Sequence, residues 1–144
     1  MRLTKFTDLA LRVVLRLAQA GQAEQITGMR VAVDVGASHD EMIEIVARLR
    51  ALDLLDCGGG ERMALTERGR AASVGWLARE LEGDGEVVGC DDDPPCPMVG
   101  SCRLRGALRS AREAFYATLD PILVRDLATN GRGPVPITIG RPRS

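Results

Sequence analysis

The stretch SHDEMIEIVARLRALDLLDCGGGERMAL, residues 38–65, decides the fold. Ser38 and Glu41 stand at the spacing of a capping box, in which the N-cap hydroxyl takes one backbone N–H and the carboxylate reaches back to another. Met42, Ile43, Ile45, Val46 and Leu49 follow as an apolar stripe, so a helix starts after Ser38. Upstream, residues 27–35 read as a short helix ending at Gly36, weakened by Gly28 and its valines. Helix, glycine-containing turn, helix is the outline of a helix-turn-helix. Downstream, Leu54–Cys57 and Arg62–Leu65 flank Gly58–Gly60 and read as a two-stranded hairpin. A hairpin placed directly after a helix-turn-helix is the wing of a winged helix.

On either side the apolar periodicity stays helical. Leu9, Val13 and Leu17, with Ala10, Val14 and Ala18, mark a first helix over 7–20 with Gly21 as its stop. Thr66–Ser73 leads into another helix with Val74, Leu77 and Leu81 inward. A last helix spans 103–119, and its stripe of Leu104, Leu108, Ala111, Phe115 and Leu119 is close to a heptad seam. Pro121 ends it. The expected fold is mainly α with a small β wing: a winged helix-turn-helix plus a long dimerisation helix. The expected organisation is a DNA-binding unit at 1–82, a loop at 83–102, a dimerisation helix and C-terminal segment at 103–130, and a loose Pro/Gly/Arg-rich tail at 131–144.

The loop GCDDDPPCPMVGSC, residues 89–102, carries Cys90, Cys96 and Cys102, each separated from the next by five residues. Prolines on both sides of Cys96 stiffen it and remove backbone donors. Three soft thiolates without a histidine suit an iron–sulfur cluster or zinc, and either needs a fourth ligand from elsewhere. The N-terminus MRLTKFTD lacks an apolar signal core, and no apolar run approaches the roughly 18 residues that span a bilayer. The expected location is therefore the cytoplasm, with no membrane partner, where disulfides are rare. Cys57, without a nearby partner cysteine, reads as a free thiol.

The 144 residues are 45% hydrophobic with four aromatics, so the core is mostly Leu, Val, Ile and Ala. The net charge of −1 is not the footprint of a strong non-specific nucleic-acid binder. Residues 1–80 balance 11 basic against 11 acidic side chains, whereas 81–93 carry six acids and no base. Those acids disfavour electrons added to a nearby metal, within the limits of solvent screening. Arg105, Arg109 and Arg112 share a helical face and read as solvated or salt-bridging. No nucleophile is paired with a base, there is no phosphate loop, and His39 is the single histidine, so an enzyme is not expected.

MRLTKFTDLALR (1–12), the glycine wing at 58–60, VGWLARELEG (74–83), the cysteine loop running into Arg103-Leu104-Arg105, and YATLDP (116–121) together carry a resemblance over nearly the whole chain. The sequence resembles the iron–sulfur winged-helix repressors, the family of IscR and NsrR, and is most similar to its nitric-oxide-sensing branch. The resemblance implies a homodimer on a double-stranded DNA operator, with nitric oxide as the signal. It also implies one iron–sulfur cluster per subunit, [4Fe-4S], held by Cys90, Cys96, Cys102 and a fourth ligand. In the iron–sulfur-biogenesis branch that ligand is a histidine three residues past the last cysteine; here the position is Arg105, which cannot ligate. In the nitric-oxide branch it is an aspartate of the first helix, donated by the partner, and Asp8 occupies that position. The residues alone read Asp8 as an ordinary first-turn acid.

A winged helix would place Ser38, His39 and Asp40 in the major groove, Gly59 and Arg62 of the wing along the minor groove, and Arg30 near phosphate. Members of the family carry basic or amide residues at the start of this helix and arginines before the wing glycines. This chain has Asp40, Glu41 and Glu44 in the first place and Asp56 and Cys57 in the second. Carboxylates facing phosphates lower affinity. The alternative reading is therefore an iron–sulfur or zinc protein of the same fold with weakened or lost DNA binding.

Overall fold

A computed structural model describes residues 1–21, 24, 26–59 and 61–128. The first helix, α1 (Lys5–Ala20), starts earlier than its apolar periodicity indicated, because the cap is Thr4, whose hydroxyl accepts the Thr7 N–H. Leu9, Ala10, Val13, Val14, Leu17 and Ala18 are buried along one face of α1, which makes it the centre of the core. Thr27 caps α2 (Gly28–Val35), and Gly36 ends it at φ 75°, in the left-handed region that favours glycine. Ser38 and Glu41 form the expected capping box on α3 (His39–Ala51).

Only part of the expected stripe on α3 enters the core. Met42, Ile45 and Leu49 are buried, while Ile43 stays 55% exposed. The five apolar positions span a wider arc than one helix can turn to a single core, and Ile43 lies on the outer side of that arc.

The wing consists of β2 (Leu55–Cys57) and β3 (Arg62–Leu65), antiparallel with Cys57 opposite Met63. A third strand, β1 (Ile26–Thr27), was not expected; it pairs with the outer side of β3, giving the order β1-β3-β2. Two residues are too few to leave an alternation signal. After the wing come α4 (Glu67–Ala71), capped by Thr66, and α5 (Val74–Glu82), capped by Ser73. Residues 83–102 form no helix or strand, and α6 (Arg103–Leu119) follows.

The chain then returns to its first half. Val74 N donates to Ile122 O at 2.8 Å and Val124 N to Ala72 O at 2.9 Å, which ties the residues beyond α6 to the α4–α5 junction. The short α7 (Val124–Leu127), also unexpected, packs on α1 and α4. Residues 129–144, and with them the expected loose tail, lie outside the described residues. No helix among the described residues is long and apolar enough to cross a membrane.

Candidate DNA-binding face and cysteine loop

The outer side of α3 carries His39, Asp40, Ile43, Glu44, Ala47 and Arg50, all exposed. Ser38 is committed to the cap: its hydroxyl accepts the Glu41 N–H at 3.2 Å. Glu41 is committed as well. One of its carboxylate oxygens takes the Ser38 N–H at 2.8 Å, and the other meets Lys5 Nζ of α1 at 2.5 Å. Lys5, followed by the Ser38 backbone, holds the Glu41 carboxyl down at about 2. Of the three carboxylates expected to confront phosphate, one is thus neutralised within the fold.

The lowered value has a definite sign. What Glu41 adds to stability is fully present above its ordinary value of 4.5 and is lost as the pH falls towards about 2. Glu41→Gln is therefore expected to flatten the acid limb of urea-unfolding midpoints between those two pH values. An acid limb as steep as wild type would show that the ion pair contributes nothing in solution.

Arg30 and Arg62 differ in their surroundings. Arg30 Nε donates to Asp34 Oδ1 at 2.9 Å, and Asp34 also takes Arg16 Nε of α1 at 2.8 Å. Those bonds, Arg16 first, hold the Asp34 carboxyl below its usual range. Arg62 opens β3 opposite Thr27, is exposed, and lines a shallow groove with Gly58, Gly59 and Asp56 at the wing tip. The structure thus brings the Arg62 and Gly59 positions together and leaves Ser38, His39 and Asp40 at the far end of α3.

In the cysteine loop, Cys96 N donates to Cys90 O at 3.1 Å, and Val99 N to Cys96 O at 3.0 Å. Cys90 is buried, whereas Cys96 and Cys102 are half-buried. Burial pushes the Cys90 thiol up, with Arg105 acting in the opposite sense. Cys102 occupies the N-cap of α6 without making a side-chain capping bond. Among the described residues no three His, Cys, Asp or Glu side chains are grouped to hold a metal ion by themselves.

The acidic run about the loop is partly compensated by the arginine face of α6, which the sequence reads as solvated or salt-bridging. Arg105 Nε donates to Glu86 Oε1 at 2.9 Å and its Nη2 to Asp91 Oδ2 at 2.7 Å, and Arg109 also donates to Glu86. These arginines hold the Glu86 carboxyl below its usual range, Arg109 contributing most. The arginine face of α6 therefore fastens the loop down. Charge composition alone cannot reveal these partners, because they lie 14 to 23 residues apart.

Asp8 sits in the first turn of α1, on the rim of an apolar cleft lined by Leu11, Leu15, Val74, Leu77 and Leu127. Arg12 holds its carboxylate by two bonds, Nε to Oδ1 at 2.9 Å and Nη2 to Oδ2 at 2.6 Å. Both side chains are about half exposed, so the pair is open to exchange. Sequence reasoning missed the links that join these parts. Thr4 N donates to Glu82 Oε1 at 2.6 Å, which joins the start of α1 to the residue where α5 ends. Arg48 of α3 donates to Glu80 O of α5 at 2.9 Å. Neither link leaves a local pattern.

A helix-turn-helix, a three-stranded wing and a return segment on α1 define the winged-helix class of DNA-binding regulators. The Rrf2 family model, described as an iron-dependent transcriptional regulator, matches residues 3–130, and the chain belongs to this family. The HTH-type transcriptional repressor NsrR of Streptomyces coelicolor is 51% identical over 138 residues, 94% of this chain and 93% of that protein. The HTH-type transcriptional regulator NsrR of Geobacillus kaustophilus is 32% identical over 133 residues, 88% and 89% of the two chains. Among solved structures, CymR of Bacillus subtilis, a global cysteine regulator, superposes with a TM-score of 0.66 at 22% identity, covering 89% of this chain and 96% of that one. IscR of T. potens gives 0.67 at 18%, with 88% and 85% covered. These two show the fold alone. The chain is a DNA-binding transcriptional regulator rather than an enzyme.

Proposed function

We propose that this protein is a dimeric transcriptional repressor whose affinity for its operator is set by an iron–sulfur cluster, [4Fe-4S], one per subunit, responding to nitric oxide. The observation that carries the reading is the loop between α5 and α6, which places Cys90, Cys96 and Cys102 within one short segment free of helix and strand. The donor set fits an iron–sulfur cluster by its softness. Cys90, Cys96 and Cys102 would hold it, with Asp8 of the partner subunit completing the set. When bound, the cluster would supply iron that, held by a carboxylate rather than a softer thiolate, could take a small exchangeable ligand.

The 51% identity to a repressor named NsrR supports this reading. So does the apolar surface about the loop: Val87, Val88, Met98 and Leu104 are all exposed in the single chain, as expected of a face that meets a second copy. In this reading residues 1–82 bind DNA, 83–102 hold the cluster and 103–130 pair the subunits. Ser38, His39 and Asp40 then lie at the major groove, Gly59 and Arg62 at the minor groove, and Arg30 at phosphate. The neutralisation of Glu41 by Lys5 removes part of the case for lost DNA binding.

The chain's own residues transmit the signal. To serve the other subunit, Asp8 would have to give up its two bonds to Arg12. Asp8 lies on α1, whose first residue, Lys5, is paired with the carboxylate that caps α3. A pull on α1 is therefore a pull on the start of the recognition helix, and the spacing of two such helices must match half-sites about one DNA turn apart.

Asp8→Ala tests this directly. The variant is expected to keep an altered chromophore after anaerobic reconstitution while losing the difference in DNA affinity between loaded and unloaded protein. That difference is about 5- to 150-fold in a typical two-state regulator. An unchanged spectrum together with an unchanged nitric-oxide response in gel shifts would remove Asp8 from the ligand set.

A further inference from the structure

The centre of the outward face of α3 carries Asp40, Ile43, Glu44 and Ala47, at the i, i+3, i+4, i+7 positions that share one side of a helix, with His39 and Arg50 at its two ends. These four are exposed and none of their side chains donates a hydrogen bond, so the donors of this face, His39 and Arg50, stand only at its ends. Ile43 is 55% exposed although aliphatic, and across a hollow of about 670 Å³ stand Met29 and Val33 of α2, each 74% exposed. A recognition helix normally carries arginine, lysine or amide groups at its centre. Here the centre is an aliphatic patch between two carboxylates, and the basic Lys5 is spent on Glu41.

We propose that Ile43, supported by Ala47, is a specificity-determining residue that reads the C5-methyl of thymine in each operator half-site. The inference rests on α3 being the recognition helix. In the major groove, an A·T pair offers a methyl group on thymine and an amino donor on adenine. The first matches Ile43, the second matches the carboxylate of Asp40 or Glu44. A G·C pair offers those carboxylates an amino donor as well, on cytosine, but has no methyl group. The carboxylates therefore accept from adenine or cytosine alike, and the choice of thymine falls to Ile43 and its methyl contact. The exposed aliphatic surface on α3 gains a partner only when thymine is present.

The test uses the full-length, cluster-loaded protein under anaerobic conditions and needs no variant at its first step. A duplex is selected from a randomised library, and each thymine of the selected site is replaced in turn by deoxyuridine, which removes the methyl group and nothing else. One thymine per half-site is expected to show about a four-fold loss of affinity, the effect of one buried methyl group. Ile43→Ala is then expected to lose affinity for the thymine duplex and to bind the thymine and uracil forms alike, whereas Asp40→Ala keeps the preference for thymine. Equal wild-type affinity for every uracil-substituted duplex overturns the proposal, as does an Ile43→Ala variant that still distinguishes the two bases. Failure of the loaded protein to select any duplex overturns instead the assignment of α3 as the recognition helix.

Discussion

Cys96→Ala is expected to abolish the visible chromophore of anaerobically reconstituted protein and to reduce its operator affinity to that of the unloaded chain. The expectation follows from what the substitution leaves intact. The Cys96 N–H bonds to Cys90 O, and its own carbonyl accepts the Val99 N–H, so the loop is shaped by backbone that alanine supplies equally well. The arginine clamp on Glu86 and Asp91 lies outside the changed residue. Only the thiolate is removed. With two sulfurs and one carboxylate left, the donor set no longer suits a four-iron cluster. Iron analysis and absorption spectra measure the loss, and urea unfolding of the unloaded chain, expected to be unchanged, shows that the fold survives. Cys57→Ala is the matched control. That thiol lies in β2, apart from the loop, and its removal should leave the chromophore intact. A Cys96→Ala protein that still carries iron and colour would show that the loop is not the cluster site.

What the sequence made legible divides by range of interaction. The start of α3 could be read because a capping box is local, with both partners three residues apart. The bounds of α6 matched residue for residue because a long stripe ends against Pro121. β1 could not be read, since its two residues become a strand only by pairing with β3, more than thirty positions away. α7 is likewise a product of tertiary contact, four residues fixed by the return of the chain onto α1 and α4. Ile43 shows a different limit: hydrophobic spacing names the apolar residues of a helix, but packing decides which of them the core has room for.

The site divides in the same way. The cysteines stand out by residue type and spacing alone. Asp8 does not, because an acid in a first helical turn is commonplace, and only the family resemblance singles it out. The pairing of Arg105 with Glu86 and Asp91 was hidden because the charges lie in separate blocks of sequence, one read as an acidic field and the other as a basic helix face. Brought together they become a clamp, and the loop is held against the helix whose first residues follow Cys102.

That clamp matters only if α6 is itself fixed to the DNA-binding half, and Gly75 is where this happens. A β-carbon at Gly75 of α5 would stand 2.2 Å from Asp120 Oδ1, 2.4 Å from Tyr116 O and 2.6 Å from Asp120 N. Two of the three are backbone atoms at the end of α6 and cannot swing aside. Gly75→Ala must therefore separate α5 from α6 at their crossing. Overpacking typically costs 1–3 kcal/mol, and the backbone contacts place this case near about 3 kcal/mol. For a chain of this size that lowers the thermal midpoint by roughly 10 °C. Arg79 would feel the same separation, since its guanidinium lies 4.8 Å from the Tyr116 ring centre and pairs with Glu113 and Asp120 across the crossing. Gly85→Ala is the control: no atom lies within 4 Å of its would-be β-carbon, and its midpoint should not move. The loaded Gly75→Ala protein should also bind its operator more weakly than its remaining folded fraction accounts for, because Cys102 at the head of α6 and α3 beyond α5 no longer share a fixed frame. A Gly75→Ala protein with a wild-type midpoint and wild-type affinity would mean that the α5–α6 crossing is loose, and that cluster and recognition helix communicate by some other route.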